Sequence, residues 1–288
     1  MTSRTWRTIA ASAAAAVAVG SGAGTAGWAT YRLLMSQARA ARTVIGRDTS
    51  KPPEADGVYA RTCAAPEPWR AGVPFDVHLM IFGDSTAAGV GCSDAGQVPG
   101  VLVARGLADT TGSRIRLSTK AISGATSKGL AGQVDAMFIA GPPPDVAVIM
   151  VGANDVTKKH SITRSAQRLR SAVARLHEAG TLVVVATCPD LGTVAAIPQP
   201  LSTVVHRWSA RLAYAQTVAV RSAGGTTVAM GDLLGHDFRS TPEVLFSADG
   251  FHPSAAGYAL AAEHILPAVL SGLGEQHQLP ETATRPGG

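Results

Sequence analysis

Between residues 74 and 272, short apolar runs alternate with longer stretches in which apolar residues recur every third or fourth position. The short runs are Val77–Phe82, Ile115–Thr119, Val146–Val151, Leu182–Thr187 and Thr227–Met230. Their length and bounding turn residues are those of strands. Val146-Ala147-Val148-Ile149-Met150-Val151 has no polar residue at all, so both of its faces are expected to lie under helices. Among the longer stretches, Ile162, Ala166, Leu169, Val173 and Leu176 make one stripe, with Arg164, Arg168 and Arg175 off it and Gly180 placed to end the helix. Pro200 opens a second helix, striped by Leu201, Val204, Val205, Trp208, Leu212 and Ala215. A third starts near Ser254 as N-cap, carries Tyr258, Leu260 and Ile265, and is expected to kink or end at Pro267. This alternation predicts βαβ units, hence an α/β domain with a parallel sheet.

The flanks do not follow the pattern. Arg4 and Arg7 precede a stretch from Thr8 to Trp28 with no charged residue. It is long enough to cross a bilayer but rich in alanine and glycine, so an uncleaved anchor is favoured over a secretory signal cut near Ala23–Ala26. Arginines flank it on both sides, which leaves orientation open. The division expected is an anchor or signal segment at 1–31, a basic helix and proline-rich linker at 32–73, the main domain at 74–272, and a disordered polar tail at 273–288.

Composition narrows this picture only a little. Of 288 residues, 46% are hydrophobic and 16% charged, enough for a substantial core. The net charge of +5 comes from scattered arginines, without the clustered basic and aromatic runs that nucleic acid demands. The three cysteines, Cys63, Cys92 and Cys188, leave at least one thiol unpaired. If the domain lies outside the cytoplasm, a Cys63–Cys92 bridge is the pairing expected. No cysteine–histidine cluster points to zinc.

The candidate chemistry sits at strand ends. Gly83-Asp84-Ser85 follows the first strand, where open α/β sheets bind their ligands. Asp249-Gly250-Phe251-His252 precedes the last helix, and a turn there can bring the carboxylate to one ring nitrogen, leaving the other for Ser85. The plain alternative is a loop aspartate beside a helix-capping histidine. Asn154, in Gly152-Ala153-Asn154-Asp155, can donate to a developing oxyanion or close an Asx-turn. Gly124 can lend its amide to a ligand or simply turn the chain. Histidines 78, 160, 177, 206, 236, 264 and 277 have no comparable setting. Gly89-Val90-Gly91 begins a dinucleotide fingerprint, but Asp94 stands where its last glycine should be. A metal site on Asp84, Asp155 and Asp249 would leave the serine, histidine and asparagine idle.

Taken in order, Gly83-Asp84-Ser85, Gly124, Gly152-Ala153-Asn154-Asp155 and Asp249-Gly250-Phe251-His252 closely resemble the SGNH/GDSL hydrolase family over about residues 75–272. The resemblance implies a three-layer α/β/α sandwich on a flavodoxin-like, five-stranded parallel sheet, preceded here by an N-terminal hydrophobic helix. It implies Ser85 as nucleophile, His252 as base and Asp249 as its orienter. The oxyanion hole would be the amides of Ser85 and Gly124 with the Asn154 side chain. Thr86 replaces the leucine of the name motif, and Ser123 the asparagine often found before Gly124. No Gly-x-Ser-x-Gly elbow is present. The expectation is a serine hydrolase of carboxylic esters, lipid acyl or acetyl-sugar, needing no cofactor or metal and binding no nucleic acid. It would be membrane-anchored or secreted, with an extracytoplasmic catalytic domain. The alternative is a catalytically silent envelope-binding or scaffolding domain of the same fold.

Overall fold

The structure is a computed structural model that describes residues 27–41, 43, 51–61 and 65–278. Helix α1 covers residues 27–41. Strand β1 (Gly57–Tyr59) follows, then β2 (Val77–Gly83), the single-turn α2 (Ser85–Ala88), α3 (Pro99–Thr111), β3 (Ile115–Thr119) and α4 (Leu130–Ala140). The second half runs β4 (Val146–Met150), α5 (Ala153–Thr157), α6 (Ile162–Glu178), β5 (Leu182–Ala186) and α7 (Leu201–Arg221). It closes with β6 (Thr226–Val228), α8 (Met230–Ser240), α9 (Pro242–Leu245) and α10 (Ala255–Gln278).

The strands form one sheet in the order β1-β3-β2-β4-β5-β6. Every pairing from β3 to β6 is parallel, and β1 runs antiparallel on β3. Period-two alternation sorts the core into two layers. Leu79, Ile81, Val146, Val148 and Val184 pack under α3 and α10 with Val101, Leu107, Ile265 and Val269. Met80, Phe82, Ala147, Ile149 and Val185 pack on the other face with Val134 and Met137 of α4 and Leu169, Val173 and Leu176 of α6. The result is the expected three-layer sandwich. Its connections reverse direction between β2 and β4, which opens a crevice at the carboxyl ends of those two strands.

Four expectations need correction. The sheet has six strands, because part of the presumed linker supplies β1. Three residues among prolines are too short to read as a strand, yet Gly57, Val58 and Tyr59 are all buried, and Val58 also exchanges backbone hydrogen bonds of 2.8 and 2.9 Å with Glu67. The basic helix expected from residue 32 onward already covers residues 27–41. The last helix passes through Pro267 to Gln278, beyond the expected start of the tail. Pro267 and Glu263, four residues before it, both lie on the exposed face, while the buried stripe of Tyr258, Ala262, Ile265, Val269 and Leu273 continues past them. Finally, Cys92 carries a free thiol, so it makes no bridge, and Cys63 lies outside the described residues.

The anchor expected at 1–31 also lies outside the described residues apart from the start of α1. Helix α10 is long and apolar enough to cross a membrane. Its buried stripe packs into the core over the sheet, so it is a core helix.

Candidate active site

Ser85 is the first residue of α2, directly past β2. The turn that presents it is tightly built. Gly83 has φ 134°, and a Cβ there would stand 1.9 Å from the Met150 carbonyl oxygen, so only glycine fits. Buried Gln133 grips the same peptide unit from α4: Gly83 N–H donates to its Oε1 at 2.8 Å, and its Nε2 donates to Gly83 O at 2.8 Å. Asp84 caps α2 by accepting the Thr86 N–H at 3.0 Å. Burial pushes its carboxyl up to about 6, against the pull of the Thr86 amide, the nearby His252 and the Gly152 amide.

His252 arrives from the far end of the chain on a closed loop. Phe246 and Pro253 pair across its base, and Ser247 N–H donates to His252 O at 2.8 Å. Asp249 Oδ1 accepts from Ser247 Oγ at 2.8 Å, Phe251 N–H at 2.8 Å and His252 N–H at 2.9 Å. Its Oδ2 lies 2.5 Å from His252 Nδ1. Nε2 of the same ring lies 2.8 Å from Ser85 Oγ. Burial raises the Asp249 pKa, but hydrogen bonds from the His252 ring, the two amides and the Ser247 hydroxyl outweigh it and hold the carboxyl well below its usual range. An ionised carboxylate only accepts, so Nδ1 carries the proton and Nε2 turns its lone pair to the Ser85 hydroxyl. Tyr258 locks this loop to the serine side by donating its hydroxyl to Val90 O at 2.6 Å.

Two further loops complete the edge. Gly124 lies in a turn with φ 77°, tied to β2 by Ile122 N–H donating to Gly83 O at 3.1 Å. Asn154 is in α5, just past β4. Buried Asp155 joins these two loops. It accepts Ser127 Oγ and Ser165 Oγ at 2.7 Å each and Ser127 N–H at 2.9 Å. Lys158 adds a second tie, donating Nζ to Gly124 O at 2.7 Å. Among the described residues no acceptor takes the N–H of Ser85 or Gly124, and no group engages the Asn154 side chain.

The chain thus brings Ser85, His252 and Asp249 into one hydrogen-bonded line and sets Gly124 and Asn154 on adjoining loops. The other carboxylates once considered for a metal are spent separately, Asp84 on backbone amides and Asp155 on serines. His160 and His206 pair with Asp155 and Asp190. His78 is a buried strand residue bonded to Ser118 Oγ at 3.0 Å, its pKa lowered to about 4 by burial and Arg116. Cys188 is buried close by, and burial with the charges of Asp84, Asp155 and Asp190 keeps its thiol protonated, so it is no rival nucleophile.

Sequence reasoning missed the supports. Gln133 shares a face with Leu130, Val134 and Met137, and a lone polar residue in such a stripe was the available signal. It also missed a largely apolar cleft, partly open to solvent, beside the serine. Ala153, Leu191, Val194, Leu234, Phe238 and Phe251 line it.

Comparison with known proteins places the chain in a family. The model of the GDSL-like Lipase/Acylhydrolase family matches residues 81–260. A GDSL-like esterase of Mycobacterium tuberculosis is 59% identical over 266 residues, covering 92% of this chain and 85% of its own. Among solved structures, the lipase/acylhydrolase from Enterococcus faecalis superposes with a TM-score of 0.54 at 20% identity, covering 68% of this chain and 96% of that one. The psychrotrophic esterase EstA from a Pseudoalteromonas species gives 0.53 at 21% identity, covering 69% and 100%. An acetyl xylan esterase from Geobacillus stearothermophilus gives 0.52 at 22%, covering 69% and 94%. At these identities the solved structures speak for the fold.

Proposed function

The chain belongs to the GDSL-like lipase/acylhydrolase family, and from that premise we propose that it hydrolyses carboxylic esters through an acyl-enzyme on Ser85. His252 Nε2 takes the hydroxyl proton as Ser85 Oγ bonds to the acyl carbon. The carbonyl electrons move to oxygen, and the Ser85 and Gly124 amides with the Asn154 side chain hold that oxyanion. Asp249 keeps the imidazole in the accepting tautomer and stabilises it once protonated. When the tetrahedral adduct collapses, the carbon–oxygen bond to the alcohol breaks and His252 returns its proton to the leaving oxygen. Water, deprotonated by the same nitrogen, then attacks the acyl carbon. Collapse frees the carboxylic acid and restores Ser85.

The observation that carries the reading is the 2.8 Å contact from His252 Nε2 to Ser85 Oγ, with Nδ1 already held by Asp249. The apolar cleft suits the hydrocarbon part of an ester, either a lipid acyl chain or the small acyl group of an acetylated sugar. The uncharged stretch at Thr8–Trp28 supports a membrane anchor. The test is Ser85→Ala: hydrolysis of p-nitrophenyl acetate should vanish, together with labelling of the protein by a fluorophosphonate. Wild-type protein that takes up no fluorophosphonate would identify a silent domain instead.

A further inference from the structure

Resting on the esterase reading, we infer that helix α1 holds the carboxyl edge of the sheet against an anionic phospholipid bilayer, and that the esters reaching Ser85 are borne by that bilayer. The helix has two unlike halves. In its C-terminal half Leu34, Met35, Ala38 and Ala41 are partly or wholly buried, with the spacing of a single helix face. Gln37 straddles the start of α7: its Nε2 donates to Gln199 O at 2.6 Å, and its Oε1 accepts the Leu201 N–H at 3.2 Å. Lys159, just past α5, donates to Met35 Sδ at 3.2 Å. Both attachment points follow the carboxyl ends of strands, β4 for Lys159 and β5 for Gln199. They therefore lie on the edge that carries Ser85 and Asn154.

The N-terminal half, residues 27–33, is exposed throughout. Trp28 is 61% and Tyr31 60% exposed, and the Arg32 guanidinium sits 4.8 Å from the Trp28 ring centroid. Bare aromatic rings beside a cation fit the headgroup layer of a membrane. Toward lower numbers the sequence continues from them into the uncharged stretch that begins at Thr8. Helical rise sets Tyr31 about 9 Å from Gln37. With Tyr31 at headgroup depth, the site's edge is in reach of the same layer. The rim matches such a surface. Ile122, on the Gly124 turn, is 59% exposed, and Lys128, Lys158 and Lys159 are exposed around it, an apolar residue among cations that complements anionic lipid.

The experiment uses the full chain reconstituted in vesicles with and without phosphatidylglycerol, and the double variant Met35→Ala/Gln37→Ala, which removes both ties of α1 to the edge without touching the site. Two substrates are compared: soluble p-nitrophenyl acetate and a long-chain 4-methylumbelliferyl ester dissolved in the bilayer. Expected is a loss of at least fivefold on the bilayer ester in the variant, unchanged turnover of p-nitrophenyl acetate, and faster bilayer turnover with phosphatidylglycerol present. Equal losses on both substrates, or no loss on either, would overturn the inference while leaving the esterase reading intact. A reading independent of activity comes from brominated phospholipid, which should quench wild-type tryptophan fluorescence more than that of Trp28→Phe. Equal quenching overturns the placement even if no ester is turned over, which would itself refute the esterase reading instead.

Discussion

Replacing Asp249 by asparagine should do more harm than removing its side chain altogether. The reason lies in how the two carboxylate oxygens are used. Oδ1 accepts three donors, at 2.8, 2.8 and 2.9 Å, while Oδ2 faces only His252 Nδ1. In Asp249→Asn the amide oxygen must stay with the three donors, because turning it away would set an NH₂ against them. The amide nitrogen then faces Nδ1 and donates to it. That forces the ring proton onto Nε2, and Ser85 loses its proton acceptor. A wrong tautomer costs roughly three to four decades in kcat, about 4–5.5 kcal/mol of barrier. Asp249→Ala leaves Nδ1 free to bond water and keep its proton, so its activity should exceed that of Asp249→Asn by roughly tenfold. The price is a less stable loop, since three donors lose their acceptor at about 1 kcal/mol each. The assay is steady-state hydrolysis of p-nitrophenyl acetate at pH 8, with thermal melts to confirm folding. Asparagine activity within tenfold of wild type, or above that of the alanine variant, would refute the tautomer argument.

Asn154→Ala should lower kcat by roughly 10²–10³ with KM little changed, because its amide is engaged only once the oxyanion forms; an effect confined to KM would count against that role. Gln133→Leu should destabilise the fold by about 2–3 kcal/mol in urea titration, since the buried Gly83 N–H loses its acceptor, and a neutral result would mean the turn has another support. Asp84 gives a pH test. Its folded pKa, about 6, lies above the unfolded value near 3.8. Its contribution to stability is therefore complete below about pH 4 and is lost as pH rises through 6, on the order of 3 kcal/mol. Asp84→Asn has no such charge to bury, so its stability relative to wild type should improve steadily from pH 4 to pH 7; a constant difference across that range would remove the argument.

The parts of the fold legible in the sequence are those where one residue pattern serves one purpose. Strands β2, β4 and β5 were readable to within about two residues because each is a nearly continuous apolar run covered on both sides. Helix α6 was equally plain from its clean stripe, and the structure adds an N-cap at Ser161. Helix α3 is less plain, because Gly100 and Gly106 weaken its helical pattern. A Cβ at Gly100 would meet Ile81 Cγ1 at 2.9 Å, and one at Gly106 would meet Leu266 Cδ2 at 2.4 Å. Those glycines let the helix lie close against the sheet and α10, a need that only the packed neighbours reveal. Strand β1 was hidden by its length. Within the site, Ser85, Asp249, His252, Gly124 and Asn154 could be named because each stands in a short local motif. Gln133 and Lys158 could not, because each is defined by a partner 50 or 34 positions away, and the clamping role of Asp155 rests on serines 28 and 10 positions away.

The buried polar residues show what the carboxyl edge of the sheet demands. Burying such groups costs several kcal/mol unless they are hydrogen-bonded, and an α/β core needs few of them. Here Asp84, Gln133, Asp155, Ser127, Ser165 and Gln216 are all buried near the ends of β2, β4 and β5. Each spends its hydrogen bonds on the backbone of a turn or on a neighbour that does. Gln216, for example, takes Cys188 N–H at 2.7 Å and gives to Val151 O at 2.9 Å, tying the ends of β4 and β5. Hydrophobic packing alone would leave these turns free to shift by an ångström without much penalty. A base that must meet a hydroxyl from 167 positions away cannot tolerate that. The polar clamps fix the turns directly, which is why their loss should appear in kcat as well as in stability.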